Sequence, residues 1–169
     1  MKIRPEIESD YQKIYKLHHL AFGQEDESKI VDKIRLGENY IPELSLIMEI
    51  DNQIIGHILF SKIKIKGLKK FETLALAPMA VLPIFQRKGI GSQLVRAGLE
   101  IAKALGFDSI IVLGHKDYYP QFGFQPASHW NIKCPFEVPD EVFMAIELQP
   151  DALVDKTGMV EYPKEFGIG

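Results

Sequence analysis

Met79-Ala80-Val81-Leu82-Pro83-Ile84-Phe85-Gln86-Arg87-Lys88-Gly89-Ile90-Gly91 is the stretch whose reading decides the fold. Apolar residues up to Val81 end a strand, and Leu82-Pro83 turns the chain. After Gly89, Ile90, Leu94, Ala97, Gly98, Ile101 and Leu105 recur at three- and four-residue steps. Gln93, Arg96, Glu100 and Lys103 take the opposite face, so the pattern is one amphipathic helix stopped by Gly106. Two glycines bracket one apolar residue at its start. They strip side chains from consecutive backbone N–H groups and leave them free to point at an anion, where the helix dipole adds positive potential. Arg87 and Lys88 add two full charges. The spacing predicts a phosphate-holding turn.

Upstream, Lys2-Ile3-Arg4-Pro5 is a short strand ended by its proline. Ser9 and Gln12 form a capping-box pattern, and Tyr11, Ile14, Tyr15, His18 and Phe22 follow at helical spacing up to Gly23. Residues 28–36 repeat that spacing up to Gly37, after the acidic link Glu25-Asp26-Glu27. Three strands are predicted over 44–50, 53–66 and 71–81, joined at Asp51-Asn52 and Gly67. Their links are too short for a crossover, so the pairing is antiparallel. Leu74-Ala75-Leu76-Ala77 is apolar on both faces and belongs in the middle of the sheet. Lys62, Lys64 and Lys66 alternate with Ile63 and Ile65, which reads as the solvated face of a strand. Downstream, residues 109–113 form a strand that a right-handed crossover places parallel to 71–81. A ligand enters such a mixed sheet where neighbouring strands diverge. Residues 115–122 are a polar, aromatic turn with a short helix, 126–139 a loop with no period, 142–148 a last strand. The expected division is a domain over 1–149 and a tail over 150–169, docked through Tyr162 and Phe166.

Lys and Arg total 20 against 23 Asp and Glu, a net charge of −3. That balance excludes bulk nucleic-acid binding, which needs a basic surface. The single cysteine, Cys134, permits no internal disulfide and no cysteine-based metal site. It fits a reducing, cytoplasmic setting. The N-terminal residues have no signal-peptide core, and the longest apolar run, 73–85, is broken by Pro78 and Pro83 and falls short of the roughly 20 residues of a membrane span. No nucleic-acid and no membrane partner is therefore expected, for a monomer or homodimer.

The element order, with Gln86-x-x-Gly89-x-Gly91 after Ala80-Val81-Leu82-Pro83, resembles the GNAT family of N-acetyltransferases. Tyr119, four residues before Gly123-Phe124, is similar to that family's second motif. The likeness covers about residues 1–149. Tyr118 to Phe124 followed by Cys134-Pro135-Phe136 resembles a bacterial subgroup of the YhbS type. A Rossmann turn would need a third glycine where Leu94 stands, and a P-loop would need Gly-Lys-Ser/Thr. The resemblance implies an α/β GNAT fold, a mixed central sheet with helices on both faces.

It also implies chemistry: transfer of an acetyl group from acetyl-CoA, without a metal, to a primary amine of a small molecule or peptide by direct attack in a ternary complex. Gln86, Arg87, Lys88, Gly89, Ile90, Gly91 and Ser92 would hold the pyrophosphate of coenzyme A. Met79, Ala80 and Val81 would present backbone groups to the pantetheine arm and the acetyl carbonyl. Tyr119, protonated at pH 7, would protonate the departing thiolate, with Tyr118 adjacent. Glu72 is the candidate base that deprotonates the ammonium, with His57 and His115 as alternatives. His18 and His19 lie on the helix that borders the acceptor site in this family. Cys134 reads as structural, and His129, Trp130 and Phe136 as possible acceptor-pocket residues. A GNAT fold that binds acyl-CoA without turnover is the competing reading.

Overall fold

The computed structural model describes residues 1–167. Its sheet is built outward from one long meander. β2 (Tyr40–Ile50), β3 (Gln53–Lys66) and β4 (Lys70–Val81) pair antiparallel, and β1 (Lys2–Pro5) adds to the free edge of β2. Asp51 and Asn52 both take positive φ, the tight turn their side chains tolerate best. β4 is the switch point. It pairs antiparallel with β3 on one side and parallel with β5 (Ser109–Leu113) on the other. The connection between them is α3 (Ile90–Ala104). β8 (Phe143–Glu147) follows β5, and the two-residue β6 (Gln125–Pro126) pairs with β8.

Alternation along the strands divides the core into two layers. Leu46, Met48, Ile58, Phe60, Leu74, Leu76, Ile110 and Val112 face α3, where Ile90, Leu94, Val95 and Ala102 meet them. Ile47, Leu59, Ile63, Ile65, Ala75 and Ile111 face the other way, onto Ile14, Leu17, Val31 and Ile34. Those last four belong to α1 (Tyr11–Phe22) and α2 (Asp26–Leu36). Gly98 lets α3 press onto the sheet: a Cβ there would lie 2.1 Å from Phe60 Cε1.

Four expectations change. The strand expected over 44–50 begins at Tyr40, because the chain rejoins β3 at Tyr40–Ser61 across a register irregularity that carries Pro42. The Ser9–Gln12 capping box does not form. Asp10 accepts from the Ile7 N–H at 2.8 Å and pairs with Arg4 at 2.7 Å, so a single-turn 3-10 segment at Glu8–Asp10 precedes α1. α2 starts two residues earlier than its apolar spacing suggests, because Asp26 and Glu27 sit favourably in its first turn. The stretch 126–139 is not all loop. β7 (Ile132–Lys133) pairs with β9 (Gly158–Glu161), and β9 pairs with the end of β3. These short strands lack a readable period, since two to four residues cannot show one. The C-terminal segment is thus hydrogen-bonded into the sheet, and Phe166 behind it is buried.

Candidate active site

β5 hydrogen-bonds to β4 only at Leu74–Ile110 and Ala75–Ile111. Beyond Ala75, β4 runs on to Val81 with β3 on one edge and, among the described residues, no strand on the other. This splay leaves main-chain groups of Ala77–Val81 unpaired on one side. It opens a cleft of about 840 Å³.

At one end of the cleft lies the glycine turn. Gln86, Arg87, Gly89, Ile90, Gly91 and Ser92 line it. Arg87 and Gly89 both take left-handed backbone angles, φ 63° and 82°, which bends the chain into α3. Gly89 is the residue suited to that angle, and a Cβ added there meets no other atom. Gln86 Nε2 donates to the Val81 carbonyl at 3.0 Å and ties the turn to the strand end. Lys88 does not line the cleft; its ammonium lies 5.7 Å from the centre of the Phe85 ring.

In the middle of the cleft are Met79, Ala80 and Val81, facing Tyr118 and Tyr119. Gly114 makes room for the Tyr119 ring, because a Cβ there would fall 2.3 Å from its Cε2. Tyr119 packs edge-on against Tyr118 and Phe124. Burial pushes its phenol up to about 12, so the hydroxyl keeps its proton at neutral pH. The Tyr118 hydroxyl instead meets Ser92 Oγ at 3.1 Å, over Gly91.

The other end is mostly apolar. Ala21, Phe22 and Ile30 line it from the first two helices, with Glu27 among them and Phe166 from the C-terminal segment. His115 reaches the cleft from the end of β5. His129, Trp130 and Phe136 do not line it. Glu72 is exposed at the far end of β4, opposite Lys64. Seven residues separate it from Met79, roughly 23 Å along an extended strand. The structure does not bring that carboxylate to the cleft. Cys134 is half-buried, and burial raises its thiol, which leaves it a poor nucleophile.

Beside β4, behind Ala80, lies a polar cluster that sequence spacing did not foreshadow. His57 stands opposite Ala80 on the neighbouring strand. Its Nδ1 is 2.8 Å from His18 Nε2, and its Nε2 is 2.8 Å from Ser45 Oγ and 3.2 Å from Glu6 Oε1. Ser45 donates to Glu6 Oε1 at 2.5 Å, Tyr40 to Oε2 at 2.7 Å and Arg35 Nε to Oε2 at 2.6 Å. Against the cost of its burial, hydrogen bonds from His57, Arg35 and Ser45 hold Glu6 ionised well below the usual carboxylate range. Desolvation lowers both histidines, His18 to about 2, so both rings are neutral at pH 7. The two histidines were visible as candidates in the sequence. Glu6, Arg35, Tyr40 and Ser45 come from separate elements and share no local spacing.

The sequence model described as the acetyltransferase (GNAT) family matches residues 11–124. The N-acetyltransferase YhbS of Escherichia coli is 32% identical over 167 residues, 98% of both chains. YjhQ, another N-acetyltransferase of Escherichia coli, is 36% identical over 79% of this chain and 75% of its own. Among solved structures, Escherichia coli YhbS in complex with CoA superimposes with TM-score 0.92 at 31% identity, covering 99% of this chain and 92% of that one. A Brucella melitensis GNAT acetyltransferase in complex with acetyl-CoA gives TM-score 0.81 at 31% identity, over 98% of this chain and 97% of that one. With the splayed mixed sheet and the glycine turn at the start of α3, these matches establish that the chain belongs to the GNAT family of N-acetyltransferases.

Proposed function

We propose that the protein transfers an acetyl group from acetyl-CoA to a primary amine by direct attack, both substrates being held in the one cleft. The observation that carries this reading is the continuity of that cleft. It runs from the glycine turn, past the unpaired edge of β4 and the two tyrosines, to the apolar end under α1 and α2. Donor and acceptor can thus meet beside Tyr119 with no covalent enzyme intermediate. The bound CoA and acetyl-CoA of the two similar structures support the donor.

Coenzyme A lies with its pyrophosphate on the N–H groups of Gln86–Ser92 and its pantetheine arm along Met79–Val81. The arm contains amides and completes β4 as an added strand would. A main-chain N–H near Val81 stabilises the negative charge that develops on the acetyl oxygen. The neutral amine attacks the thioester carbon, the C–S bond breaks, the Tyr119 phenol gives its proton to the leaving sulfur, and the proton that the new amide nitrogen sheds restores the phenol. Tyr118 is less suited to that step, since its hydroxyl is engaged with Ser92.

The test is a thiol-release assay with acetyl-CoA against benzylamine, tyramine, spermidine, an aminoglycoside and peptides with free N-termini. It is run on the parent and on Tyr119→Phe, alongside calorimetric CoA binding by the parent and Gly89→Glu. Thiol release that depends on an amine and falls in Tyr119→Phe is expected. Tight CoA binding with no release for any amine would overturn the enzymatic reading. Unchanged CoA affinity in Gly89→Glu would overturn the pyrophosphate assignment.

A further inference from the structure

The cleft carries opposite charge at its two ends. Among the described residues that line it, Arg87 is the one permanent cation and Glu27 the one carboxylate. Arg87 belongs to the glycine turn, where a pyrophosphate brings negative charge. Glu27 belongs to the end under α1 and α2, and both of its oxygens accept from Gln24 Nε2, at 3.0 and 3.2 Å. An amide partner is neutral and leaves the negative charge of that carboxylate uncancelled. Its acidic neighbours Glu25 and Asp26 do not line the cleft, and Glu25 faces Lys29 at 3.9 Å. One carboxylate beside walls of low dielectric concentrates cations there.

Those walls are apolar and held from behind. Phe22 comes from α1, Ile30 from α2 and Phe166 from the C-terminal segment. The Phe22 ring lies parallel to that of His18, 5.9 Å between centres and 3° apart in plane, and His18 is fully buried. Phe166 follows β9, which is paired to β3 at Ile65–Val160, and its ring meets that of Tyr162 at 5.2 Å. The same segment presses on the end of α2, since a Cβ on Gly37 would fall 2.9 Å from Glu165 Oε1. Walls fixed in this way bind a flat apolar group without first having to order a loop around it.

We infer that this end takes the body of the acceptor, and that the acceptor is a monoamine carried on an aromatic group, an arylalkylamine. This deepens the acetyltransferase reading above and rests on it. Glu27 attracts the single ammonium, while Phe22 and Phe166 bury the ring and set the preference. A polyamine or an aminoglycoside would bring further ammonium groups against the same walls. The described lining residues offer them no second carboxylate, and their loss of water costs more than the aromatic faces return. A donor acyl chain longer than acetyl would suit the rings but gains nothing from Glu27. An arylalkylamine is matched to both.

The thiol-release assay is run with ethylamine, 2-phenylethylamine and spermidine on the parent, Phe166→Ala and Phe22→Ala, and with hexanoyl-CoA in place of acetyl-CoA. Thermal melting and CoA calorimetry identify a variant that fails to fold. Phe22 is 43% exposed, so its variant carries the comparison if Phe166→Ala is lost. The parent's kcat/KM is expected to be about 10²-fold higher for 2-phenylethylamine than for ethylamine, and each folded variant to cut that ratio by about tenfold. A parent ratio near one, faster release with spermidine, or variants that lower both amines alike would overturn the inference. So would hexanoyl-CoA outrunning acetyl-CoA in the parent, because the rings would then hold the acyl chain. Calorimetry of 2-phenylethylamine with the CoA complex separates the inference from the reading beneath it. A parent that releases no thiol yet binds this amine, and binds it more weakly as Phe22→Ala, loses the enzymatic reading and keeps the site. Release with other amines but no binding of this one removes the inference alone.

Discussion

The Tyr118 hydroxyl stands 3.1 Å from Ser92 Oγ, joining the segment after β5 to the first turn of α3. Tyr119, its neighbour, has no such partner among the described hydrogen bonds and is the more buried of the two. The two phenols are therefore expected to differ in role. Tyr119→Phe should lower kcat by about 10²-fold with little change in the KM for acetyl-CoA. Tyr118→Phe or Ser92→Ala should loosen the helix start and raise that KM by a few fold, the loss of about 1 kcal/mol for one hydrogen bond. Steady-state kinetics with acetyl-CoA varied separate the two. The reverse pattern would make Tyr118 the acid.

The contact between Gly98 and Phe60 sets how closely α3 approaches the sheet. Gly98→Ala should destabilise the protein by about 1–3 kcal/mol through overpacking, despite alanine's better helix propensity. Phe60→Leu combined with it should recover part of the loss. Urea unfolding of the two single variants and the double variant measures the coupling. Additive losses would show that the two residues do not compete for the same space.

Glu6 is buried and ionised, with Arg35, Tyr40, Ser45 and His57 around it. Glu6→Gln leaves Arg35 with only the half-exposed Asp32 as an anionic partner, so a cost of about 3 kcal/mol is expected. Thermal and urea unfolding of the variant check it. A change under about 1 kcal/mol would mean that the cluster adds little net stability, as some buried ion pairs do.

Stability should also depend on pH in a direction that the buried histidines fix. His18 and His57 are neutral in the folded protein, their affinity for protons lowered by burial. In the unfolded chain each takes up a proton below about pH 6.5. Folding is thus at full strength above that pH and weakens as pH falls, by about 1.4 kcal/mol per pH unit for each histidine that the folded state keeps neutral. The depressed carboxyl of Glu6 adds a loss of the same sign below the ordinary carboxylate range. Urea unfolding from pH 8 to pH 5 should show the decline, and His18→Phe should flatten it. A curve flat to pH 5 would contradict the neutral assignment.

Glu27 is the carboxylate among the apolar residues at the end of the cleft under α1 and α2, where Gln24 Nε2 donates to it at 3.0 Å. Glu27→Gln should raise the KM of a cationic amine by a few fold and leave that of acetyl-CoA unchanged. A matching rise for acetyl-CoA would instead place Glu27 in the donor site.

What the sequence by itself determined is whatever is written in local spacing. The turn residues Asp51-Asn52 and Gly67 bounded β3, and the Lys–Ile alternation of 62–66 showed its solvated face. A period of 3.6 laid out α3, and two glycines at its start marked the turn that begins it. These patterns are readable because one residue's neighbours along the chain settle its backbone angles and its buried face. Tertiary structure alone decided which polar groups meet. It set Glu72 at the end of β4 away from the cleft and carried Phe166 to the cleft from a segment with little pattern of its own. It brought Glu6, His18, Arg35, Ser45 and His57 together from five separate parts of the chain. A buried polar side chain takes its partner from sheet register and helix packing, and neither is encoded within a few residues of it.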